Sequence, residues 1–227
     1  MRVVEPGEAR GSLKWIRKAV NEHAATLNHE ICSACGLGEF TDISWFSPLR
    51  ADDYAEYRDE QFLELLGVTL TNRTLSGFWP RLGPQWDALG RAAGGEVFLV
   101  EAKANIPEIL SQGTAASWAS WRMIEQSLME TKAFLRVDPT TDWTGPLYQY
   151  ANRLAHLYLL REINDVPAYL IYVYFIGDDD VRGPGSVAEW QAALTVVKKL
   201  LGLNDRNPLS KYIGEVFVDV RTMEDGA

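Results

Sequence analysis

Three residues of this 227-residue chain, Asp87, Glu101 and Lys103, have types and spacing that could do chemistry together. Glu101-Ala102-Lys103 ends the apolar run Val97-Phe98-Leu99-Val100, which reads as a buried strand following the Gly94-Gly95 turn. Side chains alternate faces along a strand, so Glu101 and Lys103 point one way and Ala102 the other. Pro84 begins a second strand-like segment that carries Asp87. If the two segments are neighbours, two carboxylates and an ammonium converge. Two carboxylates can hold a hard divalent cation such as Mg²⁺ or Mn²⁺, and a nearby lysine can orient or deprotonate a water for attack on phosphorus. The competing reading is a buried ion pair in which Lys103 neutralises Glu101 or Asp87, an arrangement that adds little stability. Spacing alone does not decide. Glu130-Thr131-Lys132 has the same form, but it lies in Ser117 to Leu135, where Trp118, Trp121, Ile124 and Leu128 recur at helical spacing and predict a solvated pair of charges.

The set resembles the PD-(D/E)XK nuclease superfamily, whose restriction-endonuclease-like fold carries Asp, then Asp or Glu, one residue and Lys on neighbouring strands. Asp87, Glu101 and Lys103 match one for one, with Trp86 where the motif often has proline and Pro84 three residues before Asp87. The resemblance implies an α/β fold: a central mixed β-sheet flanked by helices, with an α-β-β-β-α-β core over about 52 to 177. It implies a Mg²⁺- or Mn²⁺-dependent nuclease acting on DNA, with RNA as the second candidate. Asp87, Glu101 and the backbone carbonyl of Ala102 would be metal ligands, and Lys103 would polarise the attacking water. Many members add an acidic ligand on the helix before the strands. Asp59 is the candidate here and Glu60 the runner-up, against a plain Arg58–Asp59 pair at the edge of the core. On the helix expected from Pro146, Gln149, Asn152, Arg153 and His156 make a polar face that the resemblance turns toward substrate. Gln149 would then hold the attacking water or a phosphate, and Arg153, beside Asn152, would bind phosphate. Without the resemblance this is an ordinary exposed face. Gln followed four residues on by Tyr marks one branch of the superfamily, and here Arg153 stands at that place.

The elements that must position these residues are visible as patterns. Ser12 can cap a helix running to Cys35, with Leu13, Ile16, Val20, Ala24, Leu27 and Ile31 as its apolar stripe and Gly36 as its stop. Thr41 to Leu49 reads as extended, Asp52 to Leu66 as a second helix stopped by Gly67, and Val68 to Trp79 as the first core strand. Pro107 closes the strand after Lys103, and Glu108 either reaches a metal through water or serves the helix dipole. Pro139 to Gly145 is a loop, Pro146 to Ile163 a helix and Val166 to Ile176 a buried strand followed by Asp178, Asp179 and Asp180, predicted to be solvated. Ser186 and Glu189 form a capping box for a helix through Leu203, and Tyr212 to Val220 is a last strand. The whole reads as one domain, 1 to 227, with the helix 12–35 and the helix-strand 186–220 as additions to the core.

Composition bounds the function. With 47% hydrophobic and 23% charged residues, and no apolar run near the ~20 needed to cross a bilayer, the chain reads as a cytoplasmic globular protein. Met1 to Pro6 lacks an apolar signal core. A net charge of -9 argues against simple coating of nucleic acid, whose binding rests on phosphate neutralisation. Folding could still gather Arg73, Arg81, Arg91, Lys103, Arg122, Arg136 and Arg153 at one cleft, or leave them scattered. Cys32 and Cys35, with His29 and His23 before them, suggest a zinc knuckle but lack a second pair of ligands. A redox pair would want a helix N-terminus, so two buried thiols at a helix end is the plainer reading. There is no Gly-rich phosphate loop, Gly-x-Ser-x-Gly elbow or dinucleotide fingerprint to indicate a kinase, hydrolase or dehydrogenase. No helix-turn-helix or zinc finger is visible to read a target, which leaves that task to a homodimer or a partner protein, or to recognition of the substrate's structure. The alternative to a nuclease is a catalytically silent nucleic-acid-binding or scaffold protein.

Overall fold

The computed structural model describes all residues except 6, 39–41, 112, 114–115, 205 and 225–227. Strand β1 (Arg2–Val3) precedes helices α1 (Gly11–Glu22) and α2 (Ala24–Cys35). Strands β2 (Ile43–Ser47) and β3 (Glu56–Tyr57) and helix α3 (Glu60–Leu66) follow, then β4 (Ala88–Ala92) and β5 (Val97–Lys103). Helices α4 (Trp118–Leu135) and α5 (Tyr148–Tyr158) lead to β6 (Ala168–Ile176), α6 (Val187–Leu200), β7 (Ile213–Asp219) and α7 (Arg221–Glu224). Five strands form one mixed sheet in the order β2-β4-β5-β6-β7. The β2–β4 and β4–β5 pairs are antiparallel, and β5–β6 and β6–β7 are parallel. The protein is thus α/β, a mixed sheet flanked by helices.

Alternation along the strands builds both layers. Phe98, Val100 and Ala102 of β5, with Ile171, Val173 and Phe175 of β6, face Trp15, Ile16, Leu27 and Ile31 of α1 and α2. Val97 and Leu99, with Leu170, Tyr172 and Tyr174, face the layer built from α3, α4, α5 and α6. Glu101 and Lys103 continue the Val97–Leu99 line, so the sheet aims them at the α5 layer. The parallel crossover that brings β6 beside β5 contains α4 and α5, which explains why α5 lies over this end of β5.

Several expected elements change. The helix over 12–35 is two, broken at His23 (φ -127°, ψ 28°), with Arg10 rather than Ser12 at its N-cap. Thr41 lies outside the described residues, and β2 begins at Ile43. The helix expected over 52–66 begins only at Glu60, because Glu56 and Tyr57 pair with β1. Val68–Trp79 supplies no strand. Its backbone N–H groups at Asn72 and Arg73 donate to Asn164 Oδ1 at 2.9 and 3.1 Å, which folds it into turns against the end of α5, and the first sheet strand is β2. Pairing of all seven of its residues with β6 makes β7 a full member of the sheet. The Asp178 carboxylate is buried and accepts from Trp15 Nε1 at 2.7 Å, tying α1 to the end of β6, whereas Asp179 and Asp180 are exposed. Glu130 and Lys132 are not solvated partners. Arg73 holds Glu130 at 2.6 Å, and Lys132 is buried, donating to the carbonyls of Pro139 and Thr141. Among the described residues no helix is long and apolar enough to cross a membrane.

Gly90 lets β2 lie on β4, since a Cβ there would stand 2.7 Å from Ile43 Cγ2 and 3.1 Å from Trp45 Cε3. Gly90→Ala is expected to cost about 1–3 kcal/mol through overpacking, read as a lower urea midpoint at unchanged slope; an unchanged midpoint would contradict the contact.

Candidate functional site

Glu101 is the centre of the site. Only 4% of its side chain is exposed, and each oxygen meets a cation: Lys103 Nζ at 2.6 Å from Oε1, and Arg153 at 2.6 Å from Oε2. Glu101 and Lys103 converge because they are two apart on β5. Arg153 reaches them from α5, whose residues Tyr150 to Leu157 are all buried. The face expected to be polar and exposed is therefore sealed inside the protein, because α5 runs between the sheet and the 72–86 segment. Trp86 lies under the Arg153 guanidinium at 4.9 Å.

Asp87 stands just before β4. Its Oδ2 accepts from Ala102 N at 2.7 Å, which places the carboxylate over the β5 backbone. The Ala102 carbonyl leaves the strand on the same side as its N–H and so faces Asp87. Burial, then the charges of Glu101 and Glu56, push Asp87 well above the usual carboxylate range. Burial would push Glu101 up as well, but Arg153 and Lys103 outweigh it and hold Glu101 below its ordinary value. Burial disfavours the Lys103 ammonium, yet Glu101 and Asp87 keep it protonated.

Glu56 is the site residue that sequence reasoning missed. It is buried on β3, accepts from Gln85 Nε2 at 2.6 Å through Oε2, and leaves Oε1 without a partner. Burial raises it to about 7 despite the Gln85 hydrogen bond. With Glu101 it is the second carboxylate acting on Asp87. Asp59, three residues later, goes elsewhere: it stands at the N-cap position of α3 with φ 55°, and its side chain accepts from Gly83 N at 3.0 Å. Glu60 is exposed in the first turn of α3. Glu108 closes the turn after β5, taking hydrogen bonds from Ala104 N and Asn105 Nδ2 at 2.8 Å each, which occupies both its oxygens. Gln149 Oε1 lies 3.5 Å from Lys103 Nζ. Asn152 does not face an open cleft; its Oδ1 accepts from Arg153 Nη1 at 2.8 Å. Arg153 also donates to Gln85 O at 2.8 Å and to Glu101, so each of its three nitrogens is engaged within the protein.

The donor set suits a hard cation in chemistry, with three oxygen-bearing acids and one buried oxygen left orphaned at Glu56. Among the described residues, however, no three acidic, His or Cys side chains are gathered as a metal cluster. Glu101 could ligate only by releasing Arg153 or Lys103. Cys32 and Cys35 sit at the C-terminal end of α2, where burial raises both thiols, Cys35 to about 12.

Glu101→Gln would leave two buried cations facing each other. It is expected to destabilise the fold by about 3–5 kcal/mol in urea titrations, and a loss below about 1 kcal/mol would count against a desolvated triad. His156 is buried with Nδ1 2.8 Å from Asn152 O, and burial lowers it to about 3. The unfolded chain takes up that proton first, so this residue's contribution is present above about pH 6.5 and is lost as pH falls toward 3. The stability gap between wild type and His156→Gln should therefore shrink by about 2 kcal/mol from pH 7 to pH 5, and a constant gap would contradict the burial. No family model matches the chain, and no curated protein or solved structure matches it at a significant level.

Proposed function

We propose that this protein is a metal-dependent nuclease, hydrolysing phosphodiester bonds with Asp87, Glu101 and Lys103. The observation that carries the reading is Glu101 and Lys103 at 2.6 Å on one strand, with the Asp87 carboxylate hydrogen-bonded to the Ala102 N–H between them. Buried charge of this kind contributes little to stability, so its presence asks for another purpose. Asp87 and Glu101, with the Ala102 carbonyl, would hold Mg²⁺ or Mn²⁺, and Glu56 is better placed than Asp59 to join them. A bound dication would supply charge neutralisation at the phosphate. Lys103, held as an ammonium, orients the attacking water and stabilises negative charge on phosphorus. The water oxygen bonds to phosphorus, one phosphorus–ester oxygen bond breaks, and a water proton ends on the released oxygen. Gln149 is poised beside Lys103 to accept from that water. The PD-(D/E)XK resemblance names DNA as substrate and RNA as the second candidate, and composition favours the cytoplasm as the place. It leaves target recognition to a second copy or a partner protein.

One observation favours the second reading, a silent nucleic-acid-binding or scaffold protein. Arg153 occupies the Glu101 oxygen that a cation would use, and the cavity at Lys103 and Gln149 measures only about 10 Å³. The test is incubation of the purified chain with linear, nicked, supercoiled and single-stranded DNA, and with RNA, in Mg²⁺ or Mn²⁺. Cleavage that Lys103→Ala reduces about 10²–10³-fold, and that EDTA abolishes, supports the nuclease. Binding without cleavage supports the silent protein, and equal cleavage by wild type and Lys103→Ala indicates a contaminant.

A further inference from the structure

We infer that the Tyr172 hydroxyl, with Lys103 and Gln149, holds the water that attacks phosphorus. The inference rests on the nuclease reading for the water's role, but the water site itself stands on geometry.

Tyr172 pairs with Glu101 across β5 and β6, and Tyr174 pairs with Lys103, so the two tyrosines stand beside the two charges on the same face of the sheet. Tyr172 is 2% exposed, and its hydroxyl is buried without a hydrogen-bond partner. The Tyr150 ring stacks on it at 4.4 Å, which brings the two hydroxyls near each other. An orphaned buried hydroxyl costs free energy unless something satisfies it.

A cavity of about 10 Å³ opens where it is needed, lined by Glu101, Lys103, Gln149, Tyr150, Tyr172 and Tyr174. That is close to the space of a single water, and among largely apolar walls Lys103, Gln149 and Tyr172 offer the polar partners one needs. The Lys103 Nζ to Gln149 Oε1 contact is long, at 3.5 Å, whereas Lys103 to Glu101 is short, at 2.6 Å. A polar contact at that length commonly has a water beside or between its partners. The ammonium keeps a donor to offer, Gln149 can accept, and Tyr172 completes the set. A water so held has its protons directed at Gln149 Oε1 and the phenol oxygen, and its remaining lone pair is free for phosphorus. The Tyr172 contact distinguishes this from a water held by the lysine alone.

The experiment compares wild type, Lys103→Ala and Tyr172→Phe as full chains on an end-labelled DNA substrate in Mg²⁺, together with a high-resolution crystal structure of the wild type. Tyr172→Phe should lower kcat about tenfold, leave KM for DNA within about twofold, and keep the urea midpoint and circular dichroism. Wild-type kcat in Tyr172→Phe would overturn the inference. If Tyr172→Phe fails to fold, or if the wild type cleaves nothing and the nuclease reading itself falls, the crystal decides the water site. An ordered water bonded to Tyr172 Oη and Lys103 Nζ sustains the site, and an empty cavity overturns it.

Discussion

Glu101 is a carboxylate almost without contact with water, and the cost of putting it there shapes everything around it. Unpaired, it would cost several kcal/mol, and the two cations on its two oxygens remove most of that penalty. Lys103 comes at no topological cost, because alternation on one strand delivers it. Arg153 is different. It has to be brought from a separate helix, with its donors shared among Glu101, Gln85 and Asn152. The depth of α5, the aromatic cover of Trp86 over the guanidinium, and the neutral His156 one turn on all follow from keeping that cation dry and in place.

The same pairing makes two neighbouring carboxylates unlike each other. Glu101 has two cations and stays readily ionised. Asp87 has one peptide N–H and two like charges, from Glu101 and Glu56, and resists ionisation. The cluster is therefore short of positive charge on its Asp87–Glu56 side, the imbalance a dication would relieve. The closed network and the proposed chemistry are compatible if ligand binding displaces Arg153 from one oxygen, an exchange of one cation for another.

How much of this was legible in the chain depended on the range of the interaction. The strand Val97–Lys103 appeared at its observed bounds because period-two alternation and a Gly-Gly turn are local signals. The capping box at Ser186 and Glu189 and the helix from Ser117 were legible for the same reason. Val68–Trp79 misled because its Val, Leu and Trp content fits a strand, whereas Asn164, ninety-odd positions away, supplies the hydrogen bonds that fold it into turns. Glu56 was hidden inside an apparently helical stretch, since pairing with a two-residue strand at the N-terminus leaves no periodic trace. The polar residues on α5 were visible, but not their burial: spacing shows that residues share a face, and only packing shows what covers it.

Glu101 and Arg153 are 52 positions apart, and the segment between them holds α4 and the loop that precedes α5. Until α5 docks, β5 can enter the core only with Lys103 on one Glu101 oxygen and the other oxygen unpaired, so early burial of the strand carrying the cluster is costly. Closing so long a loop has its own entropic cost, which falls before the ion pair can return anything. Burial of the Glu101 end of β5 is therefore most favourable once the crossover is complete, which ties the charged cluster to correct assembly of the parallel half of the sheet.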